Sequence, residues 1–321
     1  MIDFEVTMSN FPSTKVESSV SGLPVTSIQI CGSFSLEKTF DCGQAFRFDP
    51  VPFRELSRLF PDAPSEWSDS IIIGGTAFEK TVFFLQSPHQ SDTIIVLGAD
   101  SEECTSLWIP YLALDTDYDS IDRFLLSALP TAEDRRVMEE AVTCGKGIRI
   151  LRQDPFEAII SFIISQNNNI PRIKKIITAL CQTLGEETEV PNTYAFPTAE
   201  AICRAGLSGL APIRAGFRGK YILDAAEKII SGEVDLAKIQ TCADFDSALA
   251  ILEKINGIGP KVGSCALLFG FGRTEAFPID VWMKKSIARH FPNGLDVAAF
   301  GKYAGIAQQY LFYLERFLGG V

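Results

Sequence analysis

The chain has 321 residues, 46 % of them hydrophobic, which suits two or three domains with a buried core and excludes a disordered chain. Its formal net charge of −11 is at first sight the wrong sign for a partner made of phosphates. The charge is unevenly spread, however. Residues 1–140 hold 9 Lys+Arg against 23 Asp+Glu, a net of −14, and residues 141–321 hold 20 against 17, a net of +3.

No apolar run approaches the roughly 20 residues of a membrane-spanning helix, and no basic-then-apolar signal opens the chain. The eight cysteines form no C-x-x-C pair and only two histidines are present, His89 and His290, so neither a zinc site nor any other cofactor is expected. Free thiols in a reducing cytoplasm are the simplest reading of the cysteines.

In chain order, residues 1–22 are polar and serine-rich, and read as a variable lead-in. From there to about residue 115, short β-type runs alternate with turn residues: Thr26–Ile30, Ala45–Phe48, Ser70–Ile73, Thr81–Leu85, Thr93–Leu97 and Ser106–Leu112. Arg54–Phe60 interrupts them as a brief helix. Turns rather than helices separate the runs, which predicts an antiparallel sheet domain over 23–115. Residues 116–321 read as all helical, so the class is α+β.

Asp154-Pro155-Phe156-Glu157 combines a cap, a first-turn proline and an acidic third residue, the start of a helix running to about Gln166. That helix is apolar nearly all round, hence buried. Asn167–Asn169 stop it, and the next runs from Pro171 to about Leu184. Further helices are expected over Thr198–Ala205, Arg214–Ile230, Ser247–Ile255, Pro260–Phe271, Asp280–His290 and about Ala298–Phe317.

The stretch around 247–271 carries the chemistry. Ile255-Asn256-Gly257-Ile258-Gly259 is too glycine-rich to continue a helix, and Pro260 suits the first position of a new one. The free N–H groups at that helix start are suited to a phosphate. Lys261 follows in the first turn, where the positive helix end disfavours an ammonium. A neutral lysine amine can attack an electrophilic carbon and form a Schiff base. Asp280, nineteen residues on, opens another helix and could stabilise a cation on a sugar as its base departs. Taken singly, a lysine after a turn is usually a surface residue and an aspartate at a helix start is usually only a cap.

Taken together, Ile255–Gly259, Pro260-Lys261-Val262-Gly263 and Pro278-Ile279-Asp280-Val281 resemble the helix-hairpin-helix and Gly/Pro/Asp motif of the base-excision DNA glycosylase superfamily. The resemblance implies that N–H groups at Gly257 and Gly259 hold a DNA phosphate, with a monovalent cation on carbonyls of the 255–259 hairpin. A lysine at position 261 marks members that are both glycosylase and lyase. No cysteine follows Cys265, which sets aside the branch with an iron–sulfur cluster. Five more segments resemble the eukaryotic-type 8-oxoguanine DNA glycosylases: Gly43-Gln44-Ala45-Phe46-Arg47, Arg152-Gln153-Asp154-Pro155, Asn167-Asn168-Asn169-Ile170-Pro171-Arg172, Gly216-Phe217-Arg218, and Ala307-Gln308-Gln309-Tyr310-Leu311-Phe312.

That family likeness implies an enzyme acting on double-stranded DNA with 8-oxoguanine opposite cytosine, as a monomer and without a membrane. Lys261 and Asp280 would be catalytic. The Gly43 carbonyl would meet N7 of the flipped purine, repelling the acceptor of guanine and attracting the N–H of its 8-oxo form. Phe312 and Cys265 would pack on the two faces of that base, and Gln308 would reach its polar edge. Phe217 would be the wedge left in the duplex, with Asn167, Arg172 and Arg218 holding the orphaned cytosine. Two departures from the family pattern stand out: Trp282 where many members have histidine, and Phe217 in place of tyrosine. With the acidic N-terminal half they point to a bacterial member, cytoplasmic and on the nucleoid. The rival readings are an alkylpurine glycosylase on the same scaffold and a non-catalytic module that uses the hairpin alone.

Overall fold

A computed structural model describes residues 12–319. Its strands are β1 (Ser13–Val20), β2 (Leu23–Gln29), β3 (Phe48–Pro50), β4 (Ile71–Ala77), β5 (Lys80–Ser87) and β6 (Gln90–Leu97). They form one sheet in the order β1-β2-β6-β5-β4-β3, and each neighbouring pair is antiparallel. Two-residue turns with positive φ join β1 to β2 (Ser21, Gly22) and β4 to β5 (Phe78, Glu79), the geometry that matches strand twist.

Every residue of β5 from Thr81 to Gln86 is buried, because both faces of the sheet are covered. One face carries Phe40, Phe48, Phe84 and Trp108, and the other carries Leu56, Phe60, Trp67 and Phe83. Two-sided burial removes the polar alternation that an exposed sheet would show.

Four local expectations are corrected. Ser106–Leu112 is not a strand: helical turns run through Ser101–Glu103, Cys104–Trp108 and Ile109–Tyr111. A reciprocal capping box between Asp100 and Glu103 starts them, and Trp108 is driven into the sheet's core. Ser13–Val20, expected to lie in the lead-in, is the outer strand of the sheet, and its serines stay on a solvent-facing edge. Residues 1–11 of that lead-in fall outside the described residues. The segment from Arg214 is a turn rather than a helix, with positive φ at Arg214 and Gly216, so the helix begins at Arg218. Likewise Ala45–Arg47 belong to a loop, and β3 starts only at Phe48.

Beyond residue 117 the chain is helical, around a core centred on the Pro155–Ser165 helix. Asp154 caps that helix, accepting the Glu157 N–H at 2.8 Å. It packs on the Pro260–Gly270 helix, with the Phe162 and Phe269 rings stacked at 5.3 Å. Among the described residues no helix is long and apolar enough to cross a membrane.

Two buried contacts fix the sheet to this core. Arg47 and Glu157 form an ion pair at 3.0 Å, and Arg47 also donates to the Tyr194 carbonyl. Burial pushes the Glu157 carboxyl up, with the Arg47 charge pulling it back. Glu157→Ala leaves a buried guanidinium unpaired and should cost about 3 kcal/mol in urea unfolding. Replacing both partners, Arg47→Met with Glu157→Leu, should recover most of that loss.

Candidate active site

The hairpin is built from a few local constraints. Ile255 and Ile258 are buried, and the Ile258 N–H closes the turn on the Ile255 carbonyl at 3.1 Å. Asp224, on the Arg218–Ile230 helix, accepts both the backbone N–H and the side-chain amide of Asn256 at 2.7 Å. Gly257 has φ +84°, and a Cβ there would stand 2.4 Å from the Tyr221 ring. Tyr221 and Asp224 share a helix, so that helix sets both the position and the shape of the turn.

Gly259 differs. It caps the Pro260–Gly270 helix with φ −116° and no side-chain bond, and a Cβ on it would meet nothing within 4 Å. Nothing inside the protein therefore requires glycine at 259. The unbonded N–H groups of the first helical turn lie beside it.

Gly43, Lys261, Cys265, Asp280, Gln308 and Phe312, drawn from four separate stretches, line one cavity of about 60 Å³. Lys261 is half-buried, its Nζ 5.9 Å from the Phe162 ring centroid. Cys265 is one turn further along the same helix face. Burial raises the Cys265 thiol above its ordinary range; the charge of Lys261 pulls it back and that of Asp280 pushes it further up. Three of the expected groups are thus within electrostatic reach of one another. Asp280 is the cap of the Val281–His290 helix, its Oδ1 accepting from the Met283 N–H at 2.8 Å, which leaves Oδ2 uncommitted among the described residues.

Gly43 has φ +79°, and its Cβ position lies 3.7 Å from the Phe312 ring and 3.9 Å from Ile170. Its neighbour Gln44 is wholly buried and holds the loop: its amide donates to the Thr39 and Arg149 carbonyls and accepts from the Leu151 N–H. Gln153 donates to the Gln44 carbonyl at 2.8 Å, while its own N–H donates to the Phe269 carbonyl at 2.9 Å. These two glutamines, together with Phe162, Phe269 and Gln309 in the cavity wall, were not singled out from sequence. The motifs around Gly43 and Asp154 contained the glutamines without revealing that they pair.

A second group lies beside the cavity, on two turns. Asn167 is exposed with φ +47°, and Arg172 is exposed on the first turn of the Ile170–Leu184 helix. Ile170, between them, touches the Gly43 position and so joins this turn to the cavity. Phe217 is 51 % exposed, edge-on to Tyr221 at 5.8 Å and under the Arg218 guanidinium at 4.5 Å. Arg218 itself is only 4 % exposed and donates to the carbonyls of Gln166, Asn167 and Ala215. It is spent on bracing the Asn167 turn rather than standing free toward a base. Burial, with Arg172 adding to it, pulls the Arg218 guanidinium below its ordinary value.

Residues 27–159 match the family model described as 8-oxoguanine DNA glycosylase, N-terminal domain, and residues 160–295 match that of HhH-GPD superfamily base excision DNA repair proteins. The Arabidopsis thaliana protein named N-glycosylase/DNA lyase OGG1 is 30 % identical over 304 residues, which are 88 % of this chain and 77 % of that one. An N-glycosylase/DNA lyase of Saccharomyces cerevisiae is 34 % identical over 159 residues, 46 % of this chain, and the match spans less than half of the yeast protein, 42 %. The Clostridium acetobutylicum 8-oxoguanine glycosylase/lyase, solved with double-stranded DNA containing cytosine opposite 8-oxoG, superposes with a TM-score of 0.80. It is 30 % identical, over 97 % of this chain and 100 % of that one.

The two hairpin glycines make a paired test of what the protein itself requires. Gly257→Ala should lose about 2 kcal/mol of stability through its φ and the Tyr221 ring. Gly259→Ala should change it by less than about 1 kcal/mol in the same denaturant titration.

Proposed function

Because the chain belongs to the 8-oxoguanine DNA glycosylase family of the HhH-GPD superfamily, we propose that it excises 8-oxoguanine from duplex DNA and then nicks the abasic strand. The observation that carries this reading is the convergence of Lys261, Asp280, Cys265, Gly43, Gln308 and Phe312 on one cavity. A target base must leave the stack to reach such a site. Phe217, exposed and packed between Arg218 and Tyr221, is the rigid apolar group suited to fill the gap. Asn167 and Arg172, exposed on the adjacent turn, are the donors suited to the cytosine left behind. Gly259 is where a phosphate can approach the hairpin N–H groups closely. Carbonyls of the same turn are the ligand type a monovalent cation takes; its part would be to hold the turn's shape.

In the chemistry, Lys261 Nζ bonds to C1′ as the C1′–N9 bond breaks, and the base departs with the electron pair and takes up a proton. Asp280 Oδ2 stabilises the cationic character of the sugar during that exchange. Ring opening leaves a protonated imine between Nζ and C1′. Removal of a C2′ proton then expels the 3′ phosphate by β-elimination, and water releases the sugar from Lys261. The Gly43 carbonyl favours an N7–H over a bare N7, so it separates the oxidised purine from the normal one.

A volume of about 60 Å³ is well below the ~300 Å³ at which ligand pockets begin. Base entry therefore requires the cavity to widen. On this reading the enzyme works at the chromosome, and Trp282, Phe217 and the acidic N-terminal half favour the nucleoid of a bacterial cytoplasm.

Single-turnover base release should be measured on duplexes carrying 8-oxoguanine, guanine or 3-methyladenine opposite their partners. Release of 8-oxoguanine alone is expected, about 100-fold slower in Gly43→Ala, which misplaces the carbonyl. Release of 3-methyladenine with 8-oxoguanine untouched would refute the reading. Gly259→Ala, although folded, should bind duplex DNA more weakly, with a smaller slope of log affinity against log salt.

A further inference from the structure

The turn joining β4 to β5 is built from two residues that suit it poorly. Phe78 and Glu79 have φ of +49° and +66°, a region that glycine and asparagine enter readily and in which a bulky side chain is an outlier. Strain of this kind persists where something else depends on the placement. Here the turn carries the Phe78 ring edge-on against Tyr111 at 5.8 Å, and sets Phe78 and Glu79 in the wall of a cavity of about 460 Å³. The helical side supplies Phe156 and Phe196, edge to face at 6.1 Å, with Asp154 and Glu157. The volume is of ligand size, and the cavity lies where sheet and helices join, a common place for such sites. It shares no residue with the cavity of Lys261.

Its charge decides the occupant. Glu157 is neutralised by Arg47, whose guanidinium already stands 5.7 Å from the Phe196 ring centroid. Glu79 and Asp154 have no ion-pair partner among the described residues, and no lysine or arginine lines the cavity. The Pro155–Ser165 and Ala199–Leu210 helices both start there, and their positive ends bring roughly half a charge each. Two carboxylates against those ends leave about one negative charge, among aromatic rings. We propose that this cavity binds a small organic monocation, an ammonium on an aliphatic body. The phenyl faces attract the cation through their quadrupoles and cover its methyl or methylene groups. Glu79 and the Asp154 oxygen not engaged by the Glu157 N–H meet the charge. Among the described residues no three metal-ligating side chains stand together, so a bare metal ion has no ligand set. The site does not depend on the chemistry at Lys261.

Choline and its carbon isostere, in which a neutral tert-butyl group replaces the trimethylammonium, share a shape and differ in charge. Calorimetric titration of the full chain with each, at constant ionic strength, is the test. Choline should bind with a Kd of about 1 mM or below, and the neutral alcohol at least about ten-fold more weakly. Glu79→Gln removes the charge alone and should weaken choline about five-fold. Glu79→Gly should weaken it as much while raising the urea midpoint, since glycine relieves the turn. Equal binding of the two probes, no binding of choline at about 10 mM, or choline affinity unchanged in both Glu79 variants would overturn the proposal. Tighter binding of N-acetyl-lysine methylamide than of choline would assign the cavity to a basic side chain of a partner protein, and would overturn it as well.

Discussion

Gln44 lies wholly inside the protein, and its amide is divided among backbone groups from Thr39, Arg149 and Leu151. Its own carbonyl takes the amide of Gln153, whose N–H is in turn fixed to the carbonyl of Phe269. Gly43 precedes Gln44, and Phe269 lies on the helix of Lys261 and Cys265. The Gly43 loop from the sheet side and the helix of Lys261 from the helical side are thus held by one run of buried hydrogen bonds. Such a run is worth having only if every member is satisfied, because each orphaned group would cost more than a made bond returns. Arg47 and Glu157, three residues beyond Gln44 and four beyond Gln153, add a second tie close to the same junction.

The positions of the other parts follow from this join. The Arg218–Ile230 helix carries Tyr221 and Asp224, which shape and anchor the hairpin, and it starts at the exposed Phe217. The distance between Phe217 and the hairpin is therefore set by one rigid element, and the Asn167 turn is braced by Arg218 from the same element. Phe312 and Ile170 meet the Gly43 position by van der Waals contact, at 3.7 and 3.9 Å from the glycine's Cβ position.

What was legible in the sequence was local. Gly257, Gly259 and Pro260 announce a turn and a helix start because backbone geometry allows few residues there, and Asp154 announces a cap for the same reason. Six of the residues lining the cavity were found because they lie within motifs. Where tertiary burial outweighed local preference, the pattern misled. Ser106–Leu112 has strand-like residues, yet Asp100 and Glu103 start helical turns that drive Trp108 into the sheet core. The serines of Ser13–Val20 concealed a strand that owes its place to pairing with β2. The pairings of Gln44 with Gln153 and of Arg47 with Glu157 span about a hundred residues, and nothing local in either partner names the other. Gln309 was passed over because a side chain next to Gln308 on a helix is expected to face elsewhere.

The proposed chemistry requires a bond between the amine of Lys261 and the sugar. Borohydride reduction during turnover of an 8-oxoguanine:cytosine duplex, followed by peptide mapping of the covalent complex, observes that bond directly. One adduct is predicted, on the peptide carrying Lys261, and none in Lys261→Gln. An adduct on another residue, or one undiminished in that variant, would contradict it.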